Sequence, residues 1–240
     1  MLSKSQIKLI TRLKQKKYRV AEGFFVAEGV KVINELLNST LELHHLFTTE
    51  TFKINNNETL ITQAELKKIS FLTTPNKALA VFKIPEAVKI DTNGLIVALD
   101  DVRDPGNLGT IIRLCDWYGI TNLVCSIGTV DCYNPKVIQA TMGSITRVNI
   151  SYLNLSYFLK QNNKTPILGA FMDGENVYKT KLPNSGILVM GNEANGVSKT
   201  IEEQVTNRIA IPRFGTLQAT ESLNVATATA ILLSEFKRNA

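Results

Sequence analysis

The chain has 240 residues, 44% hydrophobic and 20% charged, with a net charge of +6, enough to bury one large core or two modest ones. No stretch approaches the roughly 18 consecutive apolar residues of a membrane span, and the start, MLSKSQIKLITRLKQKKYR, lacks the apolar core of a secretory signal. Cys115, Cys125 and Cys132 are odd in number and without C-x-x-C spacing, which excludes a paired-cysteine zinc site and suits a reducing compartment. The expectation is a soluble, cytoplasmic protein; a Lys-rich transit peptide is the weaker reading, because the start runs directly into GFFVAEGVKVINELL.

Residues 1–90 carry 14 Lys/Arg against 8 Asp/Glu, whereas 91–240 carry 13 of each. The excess is densest at Lys4, Lys8, Arg12, Lys14, Lys16, Lys17 and Arg19, with no acid before Glu22. This suits phosphate contacts to a polyanion, although a solvated helix face gives the same pattern. Ile7, Ile10 and Leu13 recur at helical spacing, so Ser3 to Lys17 reads as a basic amphipathic helix. A helix over 30–37, a strand over 43–49, a helix over 63–69 and a strand over 78–84 follow, enough for a small α/β domain over 1–88. IPEAVKIDTNG (84–94) reads as a linker.

After Gly94 come the apolar runs LIVAL (95–99), NLVCSI (122–127), RVNI (147–150), PILGAF (166–171), GILVMG (186–191) and RIAIP (208–212). They suit parallel strands buried on both faces. Helical stretches at 108–118, 135–142, 155–161, 199–205 and 222–237 separate or follow them. The pattern predicts an α/β domain over 92–240, with a mostly parallel sheet and helices on both faces. Ligands of such sheets bind beyond the carboxyl ends of the strands, which directs attention to DDVRDPGNLGTIIR, GNEANGVS and PRFGTLQATESLN.

In the first of these, Asn107 stands at a helix start and Arg113 follows six residues later, flanked by Ile111, Ile112 and Leu114. A guanidinium at the edge of a buried face needs an anionic partner. In the second, Glu193 lies in a Gly- and Asn-rich loop after a buried strand, a loop that any βα connection could also have. The third passes Ser222 and Asn224 into a helix of small residues, Ala226 to Ala230. Phosphate-loop and G-x-G-x-x-G motifs are absent, and both histidines, His44 and His45, lie in the N-terminal part, which leaves no imidazole for general-base work. Asp100, Asp101 and Asp104 read as a solvated strand end rather than a metal site.

In this order and spacing the three segments resemble the motifs of the SpoU (TrmH-like, SPOUT class) RNA ribose methyltransferases: N-x5-R through Asn107 and Arg113, G-x-E-x-x-G through Gly191, Glu193 and Gly196, and IP…SLNV through Ile211, Pro212 and Ser222 to Val225. KKYRVAEGFFVAEGVKVINELL (16–37) resembles the substrate-binding domain that often precedes this catalytic domain. The resemblance implies a C-terminal trefoil knot, an exception to unknotted topology. It also implies a homodimer that includes the C-terminal helix, and S-adenosylmethionine bound along Met190, Gly191, Asn192, Ile211, Pro212 and Leu223. The catalytic set would be Arg113, Asn107, Glu193, Ser222 and Asn224, with Lys14, Lys16, Lys17, Arg19 and Arg113 on the RNA and no metal. Arg213-Phe214 and the long FGTLQATE run depart from the family pattern, as does Ala226 where SLNVS is common.

The implied activity is methyl transfer to a ribose 2'-hydroxyl of a structured RNA, with ribosomal RNA favoured over transfer RNA. Because a guanidinium resists deprotonation, Arg113 is expected to anchor phosphate and stabilise developing alkoxide charge. A non-catalytic RNA-binding protein, a base methyltransferase of the same class and a nucleotide-dependent oxidoreductase are the competing readings.

Overall fold

The computed structural model describes residues 2–54, 56–215, 217 and 222–238. The chain forms two compact units, one from Met1–Ala87 with Asp131–Thr146, the other from Val88–Val130 with Arg147–Ala240.

The first unit begins with α1 (Lys4–Arg12), opened by a capping box between Ser3 and Gln6. The single helix expected to Lys17 breaks at Leu13, and a second, α2 (Lys16–Glu22), follows and closes on Gly23 in the left-handed conformation. Arg19 explains the break. Its Nη1 donates to the carbonyls of Leu13 and Lys14 at 2.8 and 2.9 Å, which satisfies helix-end acceptors that α1 leaves open. Its Nε and Nη2 donate to Asp131 Oδ2 at 2.8 and 2.5 Å. Arg19 is 1% exposed, so the expectation that it contacts RNA is corrected: every donor group faces protein.

Next come β1 (Phe24–Glu28), α3 (Val30–Leu37), β2 (Leu43–Thr48), β3 (Glu58–Leu60), α4 (Gln63–Ile69) and β4 (Ala78–Lys83). The sheet order is β1-β4-β2-β3, antiparallel except for the β2–β3 pair. Strand β1 escapes a period-two reading because Phe25 to Glu28 are all buried, and β3 is too short to show a pattern. One sheet face packs Phe25, Ile33, Leu46 and Phe82, and this cluster includes Ile138 with Tyr133 and Met142 against it. The segment 131–146, expected in the C-terminal domain, therefore packs in the first unit.

In the second unit β5 (Leu95–Leu99), α5 (Pro105–Trp117), β6 (Asn122–Ser126), β7 (Asn149–Leu153), α7 (Leu155–Gln161), β8 (Ile167–Asn176), β9 (Gly186–Met190), α8 (Lys199–Glu202), β10 (Asn207–Ala210) and α9 (Val225–Lys237) build a sheet of order β10-β8-β9-β5-β6-β7. The helix numbered α6 (Pro135–Thr141) belongs to the inserted segment. Every strand pairing in this sheet is parallel. The central strands β5 and β9 are buried along their whole length, which is why they read as continuous apolar runs. The chain passes from β5 to β6 and β7, then returns to place β8 and β9 on the other side of β5. Such a reversal opens a crevice at the carboxyl ends of the strands. None of the helices among the described residues is long and apolar enough to cross a membrane.

Asp131→Ala leaves the Arg19 guanidinium buried without its counter-ion, and urea unfolding is expected to show a loss of about 3 kcal/mol. Arg19→Ala in that background should cost much less than it does alone, because the unpaired charge is then gone.

Candidate active site at the strand ends

Helix α5 begins at Pro105, three residues before the stretch the sequence suggests. Asp104 caps it, its Oδ1 accepting from Asn107 N–H at 2.8 Å, and Pro105 takes the first helical position. The Asn107 side chain, freed from capping, donates from Nδ2 to Glu193 Oε1 at 3.0 Å. Its Oδ1 accepts from Asn224 Nδ2 at 2.8 Å, and Asn224 Oδ1 accepts from Ala226 N–H and Thr227 N–H at 3.0 and 3.2 Å, capping α9. One chain of amides thus joins all three sequence motifs. Its polarity is fixed by chemistry: an ionised carboxylate only accepts, so Asn107 presents its NH2 to Glu193 and its oxygen to Asn224.

Glu193 also accepts from the N–H groups of Arg103 and Asp104, both at 3.3 Å. Partial burial pushes its carboxyl up. The hydrogen bond from Asn107, with those from its own N–H and those of Arg103 and Asp104, outweighs burial and holds it below its ordinary range.

The second loop is shaped by its own backbone. Asn192 and Gly196 exchange two N–H···O=C bonds of 2.9 Å, Asn192 Oδ1 accepts from Ala194 and Asn195 N–H, and its Nδ2 donates to Asp101 O at 2.6 Å. A Cβ at Gly191 would lie 2.2 Å from the Gly196 carbonyl carbon and 2.3 Å from Val197 N, so only glycine permits this crossing.

The acidic residues after β5 are not simply a solvated strand end. Asp100 is 7% exposed and its Oδ2 accepts from Ser198 N–H at 2.7 Å at the start of α8. Asp101 has φ +62° and pairs with Arg103 at 2.7 Å, while Asp104 serves as the helix cap. No group of three or more His, Cys, Asp or Glu side chains that could hold a metal occurs among the described residues. The positioning role of Asp100 is missed by sequence reading; its one signal is a carboxylate placed directly after five apolar residues.

Beside this network lies a cavity of about 960 Å³. Met190, Gly191, Asn192, Ile211, Pro212 and Leu223, the six residues expected to hold a cofactor, all line it, as do Glu193, Ser222 and Asn224. Phe171, Arg213 and Phe214 complete parts of the wall and were not singled out as cofactor contacts. Residues 216 and 218–221 of the extended loop that departs from the family pattern lie outside the described residues.

Arg113 stands apart. It is exposed on α5, does not line the cavity, and makes no hydrogen bond or ion pair among the described residues. Its neighbours Ile111 and Ile112 are buried as expected, but no described residue supplies an anion for the guanidinium. Lys14, Lys16 and Lys17 are exposed on the first unit.

The model of the SpoU rRNA methylase family matches residues 94–234. The chain belongs to this family. The model of the MRM3-like substrate-binding domain matches residues 4–80. Among curated relatives, the *Bacillus subtilis* protein named 23S rRNA (guanosine(2553)-2'-O)-methyltransferase RlmP is 30% identical over 92% of both chains. Among solved structures, a putative RNA methyltransferase of the TrmH family from *Porphyromonas gingivalis* is 38% identical with a TM-score of 0.91 over 100% of both chains. An AdoMet-bound rRNA methyltransferase from *Sinorhizobium meliloti* is 27% identical with a TM-score of 0.86, covering 99% of this chain and 97% of that one. This SpoU methylase chain thus brings one residue of each motif, Asn107, Glu193 and Asn224, into one hydrogen-bonded cluster beside the cavity.

Because Glu193 has a lowered pKa, the hydrogen bonds it accepts are at full strength above the ordinary carboxylate range and are lost as pH falls through its depressed value. The amide resonances of Arg103 and Asp104 should titrate with a midpoint below that of an ordinary glutamate carboxyl. In Asn107→Ala that midpoint should move upward, since the bond that favoured the ionised form is gone. An unmoved midpoint would mean that Asn107 does not hold Glu193.

Proposed function

We propose that this chain transfers a methyl group from S-adenosylmethionine to a ribose 2'-hydroxyl of ribosomal RNA. The observation that carries the reading is the Glu193–Asn107–Asn224 chain, which unites the three motifs beside the cavity. The cavity fits the cofactor in size and in wall: pockets for ligands of this class enclose roughly 300–1,000 Å³ and are mostly apolar with a few placed polar groups. Gly191 lets the second loop fold tightly back on itself where it forms part of the cavity wall. When bound, S-adenosylmethionine supplies an electrophilic methyl carbon on a sulfonium.

What the protein adds is position and charge. Met190, Gly191, Ile211 and Leu223 hold the donor, Asn192 shapes the loop on which it rests, and Asn107, Glu193, Ser222 and Asn224 keep the loops in register. Arg113 is the free cation of α5. It anchors a phosphate of the RNA through its planar fork and stabilises negative charge as it grows on the ribose oxygen, while the hydroxyl proton passes to solvent. The domain over 1–88 binds structured RNA, with Lys14, Lys16 and Lys17 against phosphates. The curated relative's name supports ribosomal RNA over transfer RNA.

The enzyme acts in the cytoplasm as a homodimer with a trefoil knot in its C-terminal domain. The strand order that brings β9 between β5 and β8 supports the knot. Trp117, 83% exposed on α5, supports a face that a second copy covers.

Incubation of undermethylated ribosomal RNA with the protein and labelled S-adenosylmethionine, followed by nucleoside mass spectrometry, should yield one 2'-O-methylnucleoside. A base-methylated product, or transfer RNA as the better substrate, would overturn the assignment. Arg113→Lys keeps the charge and loses the fork, so turnover is expected to fall roughly tenfold or more with cofactor affinity by calorimetry unchanged. Replacing Lys14, Lys16 and Lys17 together by Gln should flatten the salt dependence of RNA affinity by about two to three in the log–log slope.

A further inference from the structure

The first unit holds a second cavity, of about 250 Å³, between the end of β1, the turn after α4 and helix α6. Val26, Phe71 and Leu72 give it apolar walls, and Glu28, Gln139 and Lys136 are its polar groups. Glu28 is 5% exposed. Its Oε2 accepts from the Ser70 hydroxyl and its Oε1 from Phe71 N–H at 2.7 Å. A carboxylate offers about four acceptor positions, so each oxygen keeps one. Burial pushes this carboxyl up, and the bonds from Ser70 and Phe71 pull only part of the way back. The Gln139 amide makes no hydrogen bond among the described residues, and Lys136 is exposed at the rim without an ion pair.

We propose that this cavity reads one unpaired guanine of the RNA substrate. The inference rests on the reading that the chain binds RNA, and it places base recognition in a unit separate from the cofactor cavity. Two adjacent acceptors on one carboxylate call for two parallel N–H donors. Guanine presents these side by side as N1–H and the 2-amino group; adenine, cytosine and uracil do not. The Gln139 amide offers a donor for the guanine carbonyl, and Lys136 meets a phosphate. The volume is below that of drug-sized ligand pockets and suits one base rather than a whole nucleotide. Unpaired bases in RNA loops are read in this way, on their Watson–Crick edges against apolar or aromatic walls. Because α6 comes from the 131–146 segment, the pocket needs the full chain.

The test is anisotropy titration of full-length protein with labelled heptanucleotides U3GU3, U3AU3, U3CU3, U3IU3 and U7, in the absence of cofactor. U3GU3 is expected to bind about tenfold more tightly than U7, the range of one bidentate base contact. Inosine lacks the 2-amino group and should lose most of that gain. Glu28→Gln and Gln139→Leu should each shrink the guanine preference below about twofold while leaving U7 affinity unchanged. If circular dichroism shows Glu28→Gln unfolded, Gln139→Leu decides. Equal binding of all heptamers, preference for another base, or a guanine preference that survives the folded variants would overturn the pocket alone. Failure of every heptamer to bind at low salt would remove the RNA reading with it.

Discussion

The carboxamide of Asn107 is the joint on which the second unit's site depends. Among the described residues it is the group that touches both other motifs, donating to Glu193 and accepting from Asn224. Each end of the chain terminates in backbone: Glu193 collects the N–H groups of Arg103 and Asp104, and Asn224 collects those of Ala226 and Thr227. The turn before α5, the loop after β9 and the start of α9 are therefore held to one another by direct bonds rather than by packing alone. An amide can do this where a carboxylate or an amine cannot, because it alone carries donor and acceptor on one rigid plane.

The same loops are tied a second time from below. Asp100 accepts from the N–H of Ser198, the residue that opens α8, and Asn192 reaches the carbonyl of Asp101, whose backbone sits at φ +62°. A non-glycine residue in that region is strained and persists only where its surroundings over-determine it. Here the Asp101 N–H donates to Ser126 Oγ at 2.9 Å and its side chain pairs with Arg103, so three separate contacts hold the turn. The cavity wall thus rests on strand ends that cannot slide independently.

Much of this was legible in the sequence. The central strands β5 and β9 announce themselves as apolar runs because they are buried along their whole length, and the βα turns after Leu99 and Met190 carry the chemistry that such a sheet places at its strand ends. The three loops stand out as the turns at the strand ends, and their motifs follow from the resemblance to the SpoU family. What was not legible depends on partners distant in sequence. Arg19 and Arg113 are the same residue type, yet one is sealed against Asp131, 112 positions away, and the other faces solvent. Pooling Arg19 with its basic neighbours treats charge as if it were always at the surface. The packing of 131–146 in the first unit is hidden for a similar reason: α6 looks like one more helix between β6 and β7, and only the three-dimensional company of Ile138 shows where it goes.

The chemistry of the proposed reaction follows from which groups titrate. Glu193 is held below its ordinary range, so near neutral pH it is an acceptor already occupied by four donors rather than a base waiting for a proton. Both histidines belong to the first unit, and an arginine keeps its proton. A positioned general base contributes typically 10²–10⁴-fold, about 3–5 kcal/mol, whereas alignment of two reactants contributes about 7–11 kcal/mol. A site with fixed loops and a shaped cavity is built for the larger of these two effects. The attack by a ribose oxygen on a sulfonium methyl suits that design, because it converts a cation and a neutral alcohol into neutral products and a proton, and what most limits it is the line of approach.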